Sequence, residues 1–178
     1  MATLLRVLIV EDSENDALLM ARQLRSGGFD PSWQRVETPE DMNSALDRER
    51  WDVILCDYIL PRFDAPAALK IVHDRHLDIP FIVVSGSIGE ETAVAMMKAG
   101  AHDYLMKDRL SRLAEAVWRE LLEAGERLTR RKAEEALRQE RERAQSYLDV
   151  AQVMIVAINS NQEVILINHK GCNVLGYE

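Results

Sequence analysis

From Leu4 to about Arg109 the chain is predicted to form an α/β domain, a parallel sheet wrapped by crossover helices. Short apolar runs alternate there with amphipathic stretches. Three of the runs are nearly pure Val, Ile and Leu, as strands buried on both faces must be, and helix start and stop signals fall between them. Strands are expected at Arg6–Val10, Ser32–Val36, Val53–Cys56, Phe81–Val84 and Asp103–Met106. The first helix, Asn15–Arg25, is stopped by Gly27-Gly28. The second, Glu40–Arg48, has Thr38 as N-cap and Pro39 in its first turn. Helices over Ala65–His76 and over Glu90–Ala99, the latter stopped by Gly100, complete five βα units in one compact domain, residues 1–125.

From Leu110 to about Tyr147 the composition turns to Glu, Arg, Ala and Leu with one Gly and no Pro, which predicts one long helix continuing the domain. Apolar positions run Leu110, Leu113, Val117, Leu121, Ala124 and Leu128. They lose phase across Arg130-Arg131-Lys132 and resume as Ala133, Leu137, Ala144, Leu148 and Ala151. The alternatives are a dimeric coiled coil with an irregularity and a lone solvated helix laced with pairs such as Glu134 with Arg138. The coiled coil is preferred, because a polar helix of this length is poorly stable without a partner. Over 148–178 two strands, Met154–Ile158 and Val164–Asn168, flank the polar turn Asn159–Gln162, and a short helical turn spans Lys170–Gly176. A lone hairpin buries too little surface to be stable, so this segment is expected to be the front of a truncated domain.

A chain of 178 residues with 47% hydrophobic side chains is not a disordered one. Cys56 and Cys172 stand far apart with no metal-ligand spacing around them, which supports neither a disulfide framework nor a zinc module and points to the reducing cytoplasm. No apolar run approaches the roughly 20 residues of a membrane span, and no signal-peptide pattern opens the chain. A net charge of −8 argues against a phosphate-backbone footprint on nucleic acid. Proteins and cations are the expected partners.

In an open parallel sheet, ligands bind at the carboxyl ends of the strands. Those ends carry Glu11-Asp12, Asp57, Ser85-Gly86 and Lys107. Three carboxylates at one rim repel one another unless a cation joins them, and hard oxygen donors suit Mg²⁺. A carboxylate beside that ion, with a nearby ammonium, is equipped to attack a phosphoryl group, and Asp57, on a central buried strand, is the best nucleophile. For Glu11 or Asp12 alone, capping the helix near Asn15 is the competing reading.

Four motifs, Val7-Leu8-Ile9-Val10-Glu11-Asp12, Cys56-Asp57-Tyr58-Ile59-Leu60-Pro61, Val83-Val84-Ser85-Gly86 and Tyr104-Leu105-Met106-Lys107, make residues 4 to about 125 resemble a response-regulator receiver domain of two-component signalling. The resemblance implies a flavodoxin-like doubly wound five-stranded sheet of order 2-1-3-4-5. It also implies that a histidine kinase or phosphotransfer protein phosphorylates Asp57. Mg²⁺ would be held by Asp12, Asp57 and the backbone carbonyl of Ile59, with Glu11 acting through water. Ser85 would bond the phosphoryl oxygen and Lys107 would pair with it. Tyr104 matches an aromatic switch position, though ordinary core filling also explains a tyrosine there. Ile59 and Ser87 match positions flanking the attacking water, which implies slow loss of the phosphoryl group. Two positions depart from the family: Asp108 follows Lys107 where Pro is frequent, and Arg62 follows Pro61 where Gly is frequent.

The last residues resemble the start of a PAS sensor domain through Tyr147-Leu148-Asp149-Val150-Ala151, Leu166-Ile167-Asn168-His169-Lys170-Gly171-Cys172 and Leu175-Gly176-Tyr177. A signalling receiver acting through a helical homodimer on a PAS region, with an effector such as a histidine kinase or cyclic-dinucleotide enzyme beyond it, is the leading expectation. A metal-dependent phosphohydrolase with an aspartyl phosphoenzyme is the first alternative, weakened because Ile59 stands where such enzymes carry a second Asp. A pseudo-receiver used only for binding is the second. The chain as written has no ATP site of its own.

Overall fold

The computed structural model describes residues 2–86, 89–150 and 155–176. The chain divides into two compact units, Met1–Glu126 and Arg127–Glu178. The first unit begins with β1 (Thr3–Val10), α1 (Glu14–Ser26), β2 (Phe29–Val36), α2 (Pro39–Arg48) and β3 (Val53–Asp57). Two short strands, β4 (Ile59–Leu60) and β5 (Phe63–Asp64), pair as a ribbon before α3 (Ala65–Asp74). Then come β6 (Phe81–Ser85), α4 (Glu90–Ala99), β7 (Asp103–Met106), a 3₁₀ helix (Lys107–Arg112) and α5 (Leu113–Val150). The main sheet is parallel in the order β2-β1-β3-β6-β7, which is 2-1-3-4-5 counted over its own five strands, as expected.

Side-chain parity divides the core into two layers. Leu5, Val7 and Ile9 of β1, Val53 and Leu55 of β3, Ile82 and Val84 of β6 and Leu105 of β7 pack with Ala17, Met20 and Leu24 of α1 and with Leu113 and Val117 of α5. The intervening residues Leu8, Val10, Ile54, Cys56, Phe81 and Val83 face α2, α3 and Met96 of α4. β3, β6 and the second half of β1 (Val7–Val10) are buried on both faces, which is why their sequences are continuously apolar, whereas the edge strands β2 and β7 are only partly covered. The last residue of each strand and the one after it keep this alternation, so Glu11, Asp57 and Lys107 have the parity of the α1/α5 layer. Ser85 has that of the opposite layer, against which Tyr104 packs.

Several boundaries differ from those read in the sequence. β2 starts at Phe29 and takes in Pro31, which an edge strand tolerates because one row of its backbone groups needs no partner. The α1 N-cap is Ser13, whose hydroxyl accepts from the Asp16 N–H, so neither Glu11 nor Asp12 caps it. α3 ends at Asp74, and His76 takes a positive φ of 54°. The long helix does not start at Leu110. Residues 107–112 form a tighter turn, broken at Arg109 (φ −117°), before regular α geometry begins at Leu113. Helix α5 continues through Arg130-Arg131-Lys132, so the phase break is one of side-chain pattern and not of backbone. Glu134 pairs with Arg130 (2.7 Å), and Arg138 pairs with Glu135 (3.0 Å) and with Glu142 (3.8 Å), rather than the two pairing with each other.

In the second unit, β8 (Val156–Ile158) and β9 (Val164–Ile167) form the expected antiparallel hairpin, followed by α6 (His169–Leu175). The Asn159 side chain accepts from the N–H groups of Asn161 and Glu163, which closes the turn. Asn168 caps α6 by accepting from Gly171 N–H and also accepts from Ile155 N–H. The expectations placed on Ser87, Ala151, Met154 and Tyr177 lie outside the described residues.

Gly27, the C-cap of α1, lies close against α5: a Cβ there would collide with the Ala114 Cβ. Beside it Phe29 stacks on Trp118 (centroids 4.3 Å apart), whose indole N–H donates to the Gly27 carbonyl (3.3 Å). Gly27→Ala is expected to cost about 1–3 kcal/mol through overpacking. Urea unfolding with an unchanged m-value checks this, and Gly125→Ala, at an open helical position, is expected to be neutral or stabilising.

Candidate functional site

The rim at the carboxyl ends of the strands brings the predicted residues together. Glu11 follows β1 and is fully buried, Asp57 ends β3 and is almost so, and Asp12 is exposed. One oxygen from each lies within 4.8 Å of the others, and they are the only such group of three potential ligands among the described residues. His73 and His76 belong to no such group. Ser85 ends β6, buried, in register with Met106, and a Cβ on Gly86 would sit 3.9 Å from the Lys107 Cδ, which places this strand end beside the lysine stem.

Lys107 joins the carboxylates. Its Nζ donates to Glu11 Oε2 (2.9 Å), Asp57 Oδ2 (2.7 Å) and Asp16 Oδ2 (2.5 Å). Three partners saturate an ammonium, which has three N–H bonds. Strand parity explains the meeting, since Glu11, Asp57 and Lys107 all turn to the face covered by α1, whose first turn supplies Asp16. Asp16 is the residue sequence reasoning missed. Ser13-Glu14-Asn15-Asp16 looks like a capping box, in which Asp16 would reach back to the Ser13 N–H. That N–H instead donates to Glu11 Oε1 (3.1 Å), leaving the Asp16 carboxylate directed at Lys107.

Other contacts hold the loops. Arg35 of β2 donates from Nη1 to the carbonyls of Glu11 (2.9 Å) and Asp12 (3.1 Å) and to Glu37 (2.9 Å), fixing the loop that presents both acids. Beyond Asp57, Pro61-Arg62 forms the tight turn of the β4–β5 ribbon, and Asp64 caps α3 through Ala67 N–H (2.8 Å). Arg62 therefore sits at an exposed turn tip and not in a strained loop. Ile59 N–H faces Asp57 Oδ1 at 3.5 Å, and the Ile59 side chain is exposed beside a groove of about 520 Å³ shared with Tyr58, Arg62 and Phe63. Tyr104 is half-buried, and its hydroxyl donates to Met106 Sδ (3.4 Å). With Asp108 in place of proline after Lys107, no described peptide bond is cis.

Burial pushes the Glu11 carboxyl up to about 7, against the opposing pull of Lys107 and the Ser13 N–H. Burial also pulls the Lys107 ammonium down, but its hydrogen bonds to Asp16, Asp57 and Glu11 prevail and hold it well above the usual lysine range. The Cys56 thiol, fully buried, is pushed up and donates to the Asp57 carbonyl, so it is an inert core group. The arrangement is an excess of hard anionic oxygens around one cation, beside a carboxylate at a strand end. This suits both a divalent metal ion and a phosphoryl acceptor.

The family model for the response regulator receiver domain matches residues 7–118. The chain belongs to this family. The receiver is 29% identical over 126 residues to the transcriptional regulatory protein ZraR of Salmonella typhimurium, which covers 68% of this chain and 28% of that protein. It is 32% identical over 102 residues to the transcriptional regulatory protein PrrA of Mycobacterium bovis, covering 57% of this chain and 43% of that protein. The chain thus spans less than half the length of either regulator. Among solved structures it is similar to the signal receiver domain of a signal transduction histidine kinase from Syntrophus aciditrophicus (27% identity, TM-score 0.57, 66% of this chain and 89% of that one). The receiver domain of Francisella response regulator 1452, at 22% identity and TM-score 0.59 over 67% of this chain and 98% of that one, shares the fold. No helix of the described residues is long and apolar enough to cross a membrane.

The raised Glu11 value sets a pH dependence for the receiver without metal. A carboxyl whose folded value of about 7 exceeds its usual 4.5 contributes stability that is fully present below 4.5 and lost as the pH rises through 7. In chelator, wild type is therefore expected to gain stability as the pH falls across this window, with a slope on the order of 1 kcal/mol per pH unit. Denaturant unfolding at several pH values, compared with Glu11→Gln, in which this part of the slope vanishes, measures it.

Proposed function

We propose that this receiver accepts a phosphoryl group on Asp57 from the phosphohistidine of a histidine kinase or phosphotransfer protein. The observation that carries the reading is the Lys107 ammonium bonded to Asp57 and Glu11 at the edge of a three-carboxylate cluster, on a receiver fold. An Asp57 carboxylate oxygen forms the new P–O bond as the P–N bond of the phosphohistidine breaks and the imidazole leaves with the electron pair. Asp12, Asp57 and the Ile59 carbonyl would hold Mg²⁺, with Glu11 acting through water. The donor set fits, being all oxygen and more anionic than Lys107 alone neutralises. Bound there, the ion would neutralise charge on the transferring group. Lys107 pairs with a phosphoryl oxygen, Ser85 donates its hydroxyl to another, and Tyr104 exchanges its Met106 contact for one that follows Ser85. Ile59, apolar, can neither orient an attacking water nor take its proton, which favours a long-lived phosphoryl group over the turnover of a phosphohydrolase.

For output, the reading is a homodimer through α5 that passes the state to a PAS region opened by β8, β9 and α6. Residues 128–147 are exposed throughout. Leu128 and Leu137, both on the heptad pattern, are about half exposed, and an isolated helix gains little from ion pairs at its surface.

Incubation of the full chain with acetyl phosphate and Mg²⁺ should add the mass of one phosphoryl group. Asp57→Ala should add none, and chelator or Asp12→Ala should suppress the gain. Undiminished labelling of Asp57→Ala would reject the assignment. Light scattering at tens of micromolar is expected to give a dimer that Leu128→Glu with Leu137→Glu converts to monomer. A monomeric wild type would reduce α5 to a spacer.

A further inference from the structure

The mechanism just proposed leaves Asp16 unused, although Asp16 makes the shortest of the three contacts to Lys107. All three ammonium N–H bonds are taken by carboxylates, so Lys107 gains a phosphoryl oxygen only at the expense of a present partner. The three differ in what they lose. Glu11 has 0% side-chain exposure, and giving up Lys107 would leave a buried carboxyl oxygen without its hydrogen-bond partner and out of reach of water. Asp57, 12% exposed, carries the phosphoryl group itself and stays beside Lys107 through that covalent link. Asp16 is 38% exposed on the first turn of α1, where water and the helix N-terminus compensate the carboxylate once the lysine departs.

We infer that Asp16 is a positioning residue that holds Lys107 in the unphosphorylated receiver and yields it to the phosphoryl group. This rests on the reading of Asp57 as phosphoacceptor. Asp16 acts as a competitor: its hold opposes the phosphorylated arrangement, and weakening that hold favours it. The size follows from a partly exposed ion pair, whose loss changes an equilibrium by up to about fivefold.

Beryllofluoride, a non-transferable phosphoryl mimic, tests this on the full chain at saturating Mg²⁺. Asp16→Asn is expected to bind it about fivefold more tightly than wild type, while Glu14→Gln, which removes the same charge from the same turn, leaves affinity unchanged. Without the mimic, the Lys107 Nζ resonance should shift in Asp16→Asn and not in Glu14→Gln. Unchanged or weaker binding by Asp16→Asn, or equal tightening by both variants, overturns the inference while leaving the phosphoacceptor reading intact. Failure of wild type to bind the mimic at all overturns both.

Discussion

One ammonium among three carboxylates is the interaction on which the rest of the rim depends. Glu11 is fully buried and Asp57 nearly so, and an anion in such a place is tolerable only with a cation against it. Lys107 supplies that cation from beyond the edge strand β7: ninety-six residues separate it from Glu11 and fifty from Asp57. The fold therefore stores its electrostatic strain at one point, where a small change of charge is felt by three strand ends and a helix at once.

That point was legible because strands have a period of two. Continuous apolar runs announced doubly buried strands, and the polar residue after each run had to lie at the rim where the chain leaves the sheet. Glu11, Asp12, Asp57, Ser85 and Lys107 could be gathered by that rule without any contact being known. Asp16 could not, because Ser13-x-x-Asp16 is an ordinary helix-start pattern. Only the prior claim of Glu11 on the Ser13 N–H directs Asp16 elsewhere, and a sequence does not say which of two acceptors wins a donor. The packing of β1 and α1 decides that.

Element edges were less legible for a related reason. Residues 110–112 have the composition of a helix and read as its beginning, yet the chain must turn over 107–112 while Lys107 stays tied to the sheet rim, and a 3₁₀ helix with a break at Arg109 satisfies both demands. In α5 the loss of heptad phase at Arg130-Arg131-Lys132 leaves the backbone uninterrupted, since backbone hydrogen bonds do not depend on where the apolar side chains point. Which ion pairs line that surface was misread as well. Glu134 has several arginines within reach at helical spacing, and choices among near-equal exposed pairs are worth only tenths of a kcal/mol.

Arg35 ties the loop bearing Glu11 and Asp12 to β2, and β2 is an edge strand with a neighbour on one side only. Edges are where native proteins open first, in sub-global excursions far smaller than complete unfolding. Each time the end of β2 frays, the guanidinium lets go of two carbonyls and the acidic loop loses its tether in the same event. The order of the rim is thus borrowed from one of the least protected strands of the sheet, and amide exchange at Val36 and Ser13 would rise and fall together.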